Sequence, residues 1–169
     1  YDPEAYDDEL PAHPVEIRHV LWIGEHLVTN AQYGNFLAAT WHRQPEYWGE
    51  RGFNDPEQPV VGINWNDARR FCEWLTTQLA AGDERFADLP TEAEWELAAR
   101  GTDGRRYPWG DEPPTTERAR FRSAATSIAA VGGRPAGKSP FGCQDMAGNV
   151  WEWCLDAWRE GYGSDGPVV

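Results

Sequence analysis

The stretch PVVGINWNDARRFCEWL, Pro59 to Leu75, changes character at its middle. Up to Ile63 it holds the Pro, Gly and β-branched residues of an irregular or extended segment. At Asn64 a helix opens. Its side chain is a capping type, Asp67 stands three positions on, and Ala68, Phe71, Cys72, Trp74 and Leu75 recur at helical spacing through Leu79. The same switch from irregular chain to short capped helix occurs twice more. Thr29 opens a helix to about Ala38, with Ala31, Phe36 and Leu37 as inward candidates. Thr91 opens another to Arg100, with T-E-A-E as a capping box and Trp95, Leu97 and Ala98 inward. Glu92, Glu94 and Glu96 gather at that helix start, where acids offset the positive end of the macrodipole.

Outside these helices the chain reads as short strands and loops. Val15–Ile23 has a strand composition, and Ala119–Ala125 offers a second short strand. Trp41 to Pro59 and most of Gly101 to Pro140 carry no periodicity, and the first dozen residues form an acidic, Pro-bearing edge segment. With 17 Gly and 13 Pro in 169 residues, long ordered connections dominate. Such loops cost conformational entropy unless something pins them. The ten Trp suit that task, because an indole buries a large area and its N–H can bind a loop carbonyl. A stacking role toward a ligand is the alternative for Trp41 and Trp48.

Composition excludes several function classes. The 28 acids against 15 bases give a net charge of −13, which repels a phosphate backbone and argues against nucleic acid as partner. No run approaches the length of an apolar membrane span. Three Cys do not make a secreted disulfide framework, so a reducing, cytoplasmic compartment is expected. His13, His19, His26 and His42 lack metal-ligand spacing, and neither a Ser-His-Asp pattern nor a phosphate-binding loop is present.

Four blocks stand in order along the chain: VTNAQY (Val28–Tyr33), PVVGINWNDARRFCEWL (Pro59–Leu75), LPTEAEWELAARG (Leu89–Gly101) with YPWGDE (Tyr107–Glu112), and FGCQDMAGNVWEW (Phe141–Trp153). Together they closely resemble the formylglycine-generating enzyme, or sulfatase-modifying factor, family. The resemblance implies one α+β domain over residues 1–169, a C-type lectin-like variant with two to three helices, short twisted strands and long ordered loops. It also implies an incomplete copy. Family members carry an extra strand before the acidic segment, and end with an Arg-Gly-Gly-Ser-Trp block and a Gly-Phe-Arg strand that have no counterpart before Val169.

The family's oxidases convert a substrate cysteine to formylglycine with copper held by paired thiolates, which are soft ligands suited to Cu(I). Their catalytic cysteines lie in the block without a counterpart here, so no catalytic residue carries over. Cys72 sits on the apolar stripe of the second helix and reads as a buried structural thiol. Cys143 and Cys154 flank DMAGNVWEW and do not match the catalytic pair; a disulfide or metal clip between them stays open. In that block Asp145 and Glu152 bracket a Gly-containing turn, and a hard cation such as Ca²⁺ takes several oxygens at once. Family relatives bind calcium at the matching positions, through the side chains of Asp145 and Glu152 and the carbonyls of Gly148 and Val150. The alternative is a hydrogen-bonded turn without metal. A second calcium site of some relatives would need an Asn near Arg120, which ARFRSA does not supply.

The sequence therefore points to a non-catalytic ligand-binding or regulatory module. Its expected partner is a protein or peptide, or a fused signalling or effector domain of a larger bacterial protein. A copper-dependent formylglycine-generating oxidase is the alternative. The iron-dependent sulfoxide synthases related to this family would need an added His-rich helical domain.

Overall fold

The computed structural model describes residues 13–121 and 128–158. Three α-helices follow one another: α1 (Asn30–Thr40), α2 (Trp65–Thr77) and α3 (Glu92–Arg100), with a 3-10 turn at Pro135–Gly137. Each α-helix starts at the expected cap. Thr29, Asn64 and Thr91 accept from the third helical N–H, and Gln32, Asp67 and Glu94 return a bond to the cap backbone. These reciprocal boxes satisfy two of the donors that every helix start leaves open.

Tyr33, Phe36 and Phe71 form one core where α1 meets α2. Tyr33 stacks on Phe71 at 5.6 Å between ring centroids, and Phe36 meets the same ring edge-on at 5.8 Å. Trp74 and Trp48 close the rim. A second core joins Ala98 and Ala99 of α3 to Cys143 and Met146, with Ile23 and Trp95 against it. The two alanines present so little bulk that the 143–146 turn lies directly on the helix. That contact places the DMAGNVWEW block.

Several inward assignments shift. Ala31 and Leu75 are exposed, while Tyr33, absent from the expected set, is 1% exposed. α2 and the loop residues Trp48, Val60 and Ile63 meet the Tyr33–Phe36 face of α1, so the larger ring takes the core position and Ala31 is left to solvent. Leu97 is half-buried.

No strand forms among the described residues. Val15–Ile23 is irregular, with Val15, Val20 and Trp22 exposed, because no neighbouring segment supplies a ladder. Of Ala119–Ala125, Arg120 makes one isolated parallel bridge to Gly148, and residues 122–125 lie outside the described ones, as do the acidic segment 1–12 and the end at Pro167–Val169. Among the described residues no helix is long and apolar enough to cross a membrane.

Indoles do pin loops. Trp65 donates to the carbonyl of Cys154, Trp153 to that of Ile63 and Trp109 to that of Glu112. Buried amides, unforeseen in the sequence, do as much. Asn30 Nδ2 donates to the carbonyls of Phe53 and Asp55, and Gln58 Nε2 to those of Gly52 and Ile128. Trp41 instead ends α1 at φ 56°, 93% exposed, while Trp48 packs on Tyr33.

The first core yields a paired prediction. Phe36→Ala deletes a ring that is 2% exposed and should cost about 3–5 kcal/mol in urea unfolding. Tyr33→Phe removes a buried hydroxyl that has no hydrogen-bond partner, and should leave stability unchanged or raise it by roughly 1 kcal/mol. A large loss from Tyr33→Phe would mean that the hydroxyl is satisfied after all.

Candidate cation site

The turn from Asp145 to Glu152 is shaped by its backbone. Asp145, Gly148 and Asn149 all take positive φ, at 60°, 83° and 63°. Asp and Asn tolerate this region better than other side chains, which explains their place in DMAGN. Gly148 is required twice, since a Cβ there would also collide with the Arg120 carbonyl. The Asn149 N–H donates to that same carbonyl at 2.9 Å.

Side chains then tie the turn to its surroundings. Asp145 Oδ2 accepts the Gly132 N–H at 2.6 Å. The Asn149 amide both accepts from and donates to the backbone of Ala129, at 2.9 and 3.2 Å. Glu152 points inward and accepts the Trp95 indole N–H at 3.0 Å, while Trp151 beside it is fully exposed. Below the turn the chain is strapped to the helix starts, with Leu155 N–H on the Pro90 carbonyl and Asp156 on the first N–H of α3.

Asp145 and Glu152 thus lie on one turn, each held by an N–H donor, Gly132 for the first and Trp95 for the second. Burial, with Asp145 as a repelling neighbour, pushes the Glu152 carboxyl up to about 7 against a single favourable bond from Trp95. A buried negative charge with so little compensation is what a cation would offset. The Gly148 carbonyl accepts the Val150 N–H at 2.9 Å, and a carbonyl oxygen carries a second lone pair. Among the described residues no group of three or more His, Cys, Asp or Glu side chains converges on one point, so carbonyls would have to complete the coordination. The donor set of two carboxylates and carbonyl oxygens is all oxygen, which suits calcium rather than copper or zinc.

The other inward acids are compensated. Asp67 would be raised by burial, but Arg43, the Asn64 N–H and His42 outweigh that and hold its carboxyl low. Glu94 is buried, yet Thr91 and His19 likewise hold it low. Its role is therefore larger than the dipole offset expected for it. The cysteines are all free, and Cys143 and Cys154 are not bridged. Burial pushes the Cys72 and Cys154 thiols up to about 11 and raises Cys143 as well.

All of residues 1–169 match the family described as the sulfatase-modifying factor enzyme 1-like domain. The chain belongs to this family. It is 37% identical to the serine/threonine-protein kinase pkn1 of Chlamydia pneumoniae, over 90% of this chain and 25% of the kinase. It is 33% identical to the hercynine oxygenase of Mycolicibacterium thermoresistibile, over 90% of the chain and 39% of that protein. The formylglycine-generating enzyme of Streptomyces coelicolor is 33% identical, over 96% of the chain and 66% of that enzyme. The chain thus spans a minor part of the kinase and the oxygenase. Among solved structures, PvdO from Pseudomonas aeruginosa has the same fold, with a TM-score of 0.68 and 24% identity over 84% of this chain and 59% of that one.

The site sets a pH dependence of definite sign. The folded Glu152 carboxyl titrates near 7 against an ordinary 4.5, so the folded state binds the extra proton in that window. The associated stability is present below pH 4.5 and lost as pH rises through 7. Asp67, Glu94, Asp83 and Asp103 are all lowered and contribute a constant amount there. With chelator present, unfolding free energy should fall by roughly 2–4 kcal/mol between pH 5 and pH 8. Glu152→Gln should flatten that slope in denaturant titrations at several pH values, and an equal slope in both proteins would refute the assignment.

Proposed function

We propose that this chain is a non-catalytic ligand-binding or regulatory module on the family's C-type lectin-like α+β fold, stabilised by calcium. It would serve a larger bacterial signalling or effector protein, with a protein or peptide ligand or a fused domain as its partner. The observation that carries the reading is the state of the thiols. A copper oxidase needs accessible paired thiolates, whereas Cys72 and Cys143 are buried, Cys154 is half-buried, and burial raises all three thiols. The Chlamydia kinase, of which the matching stretch is a quarter, supports a place beside other domains. The acidic, loop-rich character of the present chain agrees with a role in recognising polypeptide rather than nucleic acid.

Calcium would be held by Asp145 and Glu152 with the carbonyls of Gly148 and Val150, and would supply charge neutralisation rather than chemistry. Trp95 fixes the Glu152 side chain, and Asn149 fixes the backbone between the ligands. The 96% coverage by a formylglycine-generating enzyme favours a second reading, in which cysteines outside residues 1–169 perform the oxidation on this scaffold.

Two measurements test these readings. Incubated with copper, oxygen and a cysteine-bearing sulfatase peptide, the 169-residue chain should form no aldehyde detectable by mass spectrometry. Aldehyde that disappears on Cys→Ser substitution at 72, 143 or 154 would overturn the module. Calcium should raise the melting temperature with the logarithm of its concentration above Kd, and magnesium should do so poorly. Glu152→Ala should abolish the response and Asp145→Asn weaken it; a wild type indifferent to chelator would leave only a hydrogen-bonded turn.

A further inference from the structure

The five residues Ile128 to Gly132 run between two loops that do not otherwise share the bonds described above, and their backbone groups alternate between them. The Ile128 carbonyl accepts from Gln58 Nε2 at 2.8 Å, and the Val131 N–H donates to the Glu57 carbonyl at 2.9 Å. Facing the other way, Ala129 is clamped by both ends of the Asn149 amide, and the Gly132 N–H sits on Asp145 Oδ2. The segment behaves as the middle strand of a sheet would, with two side-chain amides and one carboxylate standing in for part of the neighbouring strands.

The link does not stop at Gln58. That side chain is 8% exposed, and its Oε1 accepts the Asp55 N–H at 3.1 Å. Its own carbonyl accepts the N–H of Asn30, the first residue of α1, at 2.9 Å. Asn30 in turn holds the carbonyls of Phe53 and Asp55. Each bond named in this relay joins two buried or backbone polar groups, so displacing one rung leaves a polar group unpaired.

We infer that Ile128–Gly132 couples the Asp145–Glu152 turn to the Gly52–Gln58 loop as one cooperative unit, with Asn149 and Gln58 as its positioning residues. The inference rests on the cation reading of the turn and names what that site regulates. Asp145 supplies the differential contact. Under the cation reading its carboxylate is a ligand, and it also carries the Gly132 N–H, so a bound cation acts directly on the group from which the segment hangs. Coupling is reciprocal, so loosening Gln58 must return as weaker cation binding although Gln58 touches no ligand.

The test joins calcium calorimetry with amide hydrogen exchange on the protein. Chelation should speed exchange about fivefold or more at Gly132, and equally at Val131 and Asp55 on the far side. Gln58→Met, which keeps the volume and deletes the amide, should weaken calcium binding about fivefold or more. Unchanged affinity in a folded Gln58→Met protein, or chelation felt at Gly132 alone, would overturn the coupling. Asn149→Gly accepts φ 63° without strain and deletes both bonds to Ala129, so it should speed exchange at Val131 and Asp55 with no metal present. Should the wild type bind no calcium, the cation reading fails, and this last variant alone decides: exchange at Val131 and Asp55 as in wild type would sink the coupling too.

Discussion

A chain whose described residues form three short helices and no sheet must satisfy its buried peptide groups one at a time. Each unmade bond on a buried carbonyl or N–H costs on the order of 1–3 kcal/mol, which a marginally stable domain cannot accumulate. The protein meets the constraint with buried side chains that reach across loops. Asn30, Gln58 and Asn149 each hold the backbone of a distant segment. Thr76 and the indoles of Trp65 and Trp153 do the same at the ends of α2. Loops bound this way are ordered without being regular, and the positions of the turns follow from where those few amides sit.

The same economy separates the acids. Asp67 and Glu94 go inside as parts of capping boxes and meet cationic or N–H partners there. Their burial completes a helix start and ties a remote segment to it: His42 and Arg43 to α2, His19 to α3. Asp145 and Glu152 are held instead by neutral N–H donors, of Gly132 and of the Trp95 indole. The contrast marks the turn as unfinished electrostatically, in a molecule that elsewhere matches every inward carboxylate described above. Charge, rather than any nucleophile, is the resource this site holds.

Family membership and chemistry are separable here. The capped helices, the Ala98–Ala99 seat and the DMAGN turn belong to a chain that is similar to proteins named as a kinase, an oxygenase and a formylglycine-generating enzyme. A scaffold held by backbone-directed amides can keep its shape while exposed positions vary, because few of those bonds depend on surface side chains. Trp41 and Trp151 are both exposed and take no part in those bonds.

By itself the sequence determined the three helix starts, since capping is a contest among neighbours within four residues and needs no partner from elsewhere. It also determined the DMAGN turn, because few residue types accept positive φ. The strand expected at Val15–Ile23 failed for the converse reason: β-branched composition does not supply the second strand that a ladder requires. Only the tertiary structure decided that Tyr33 rather than Ala31 faces the core, because that depends on which side α2 approaches. It also decided that Glu94 is buried against His19, 75 positions away, and that Asn149 and Gln58 grip one segment from opposite sides. A polar side chain's partner at such separations is chosen by packing, and nothing in the local sequence records it.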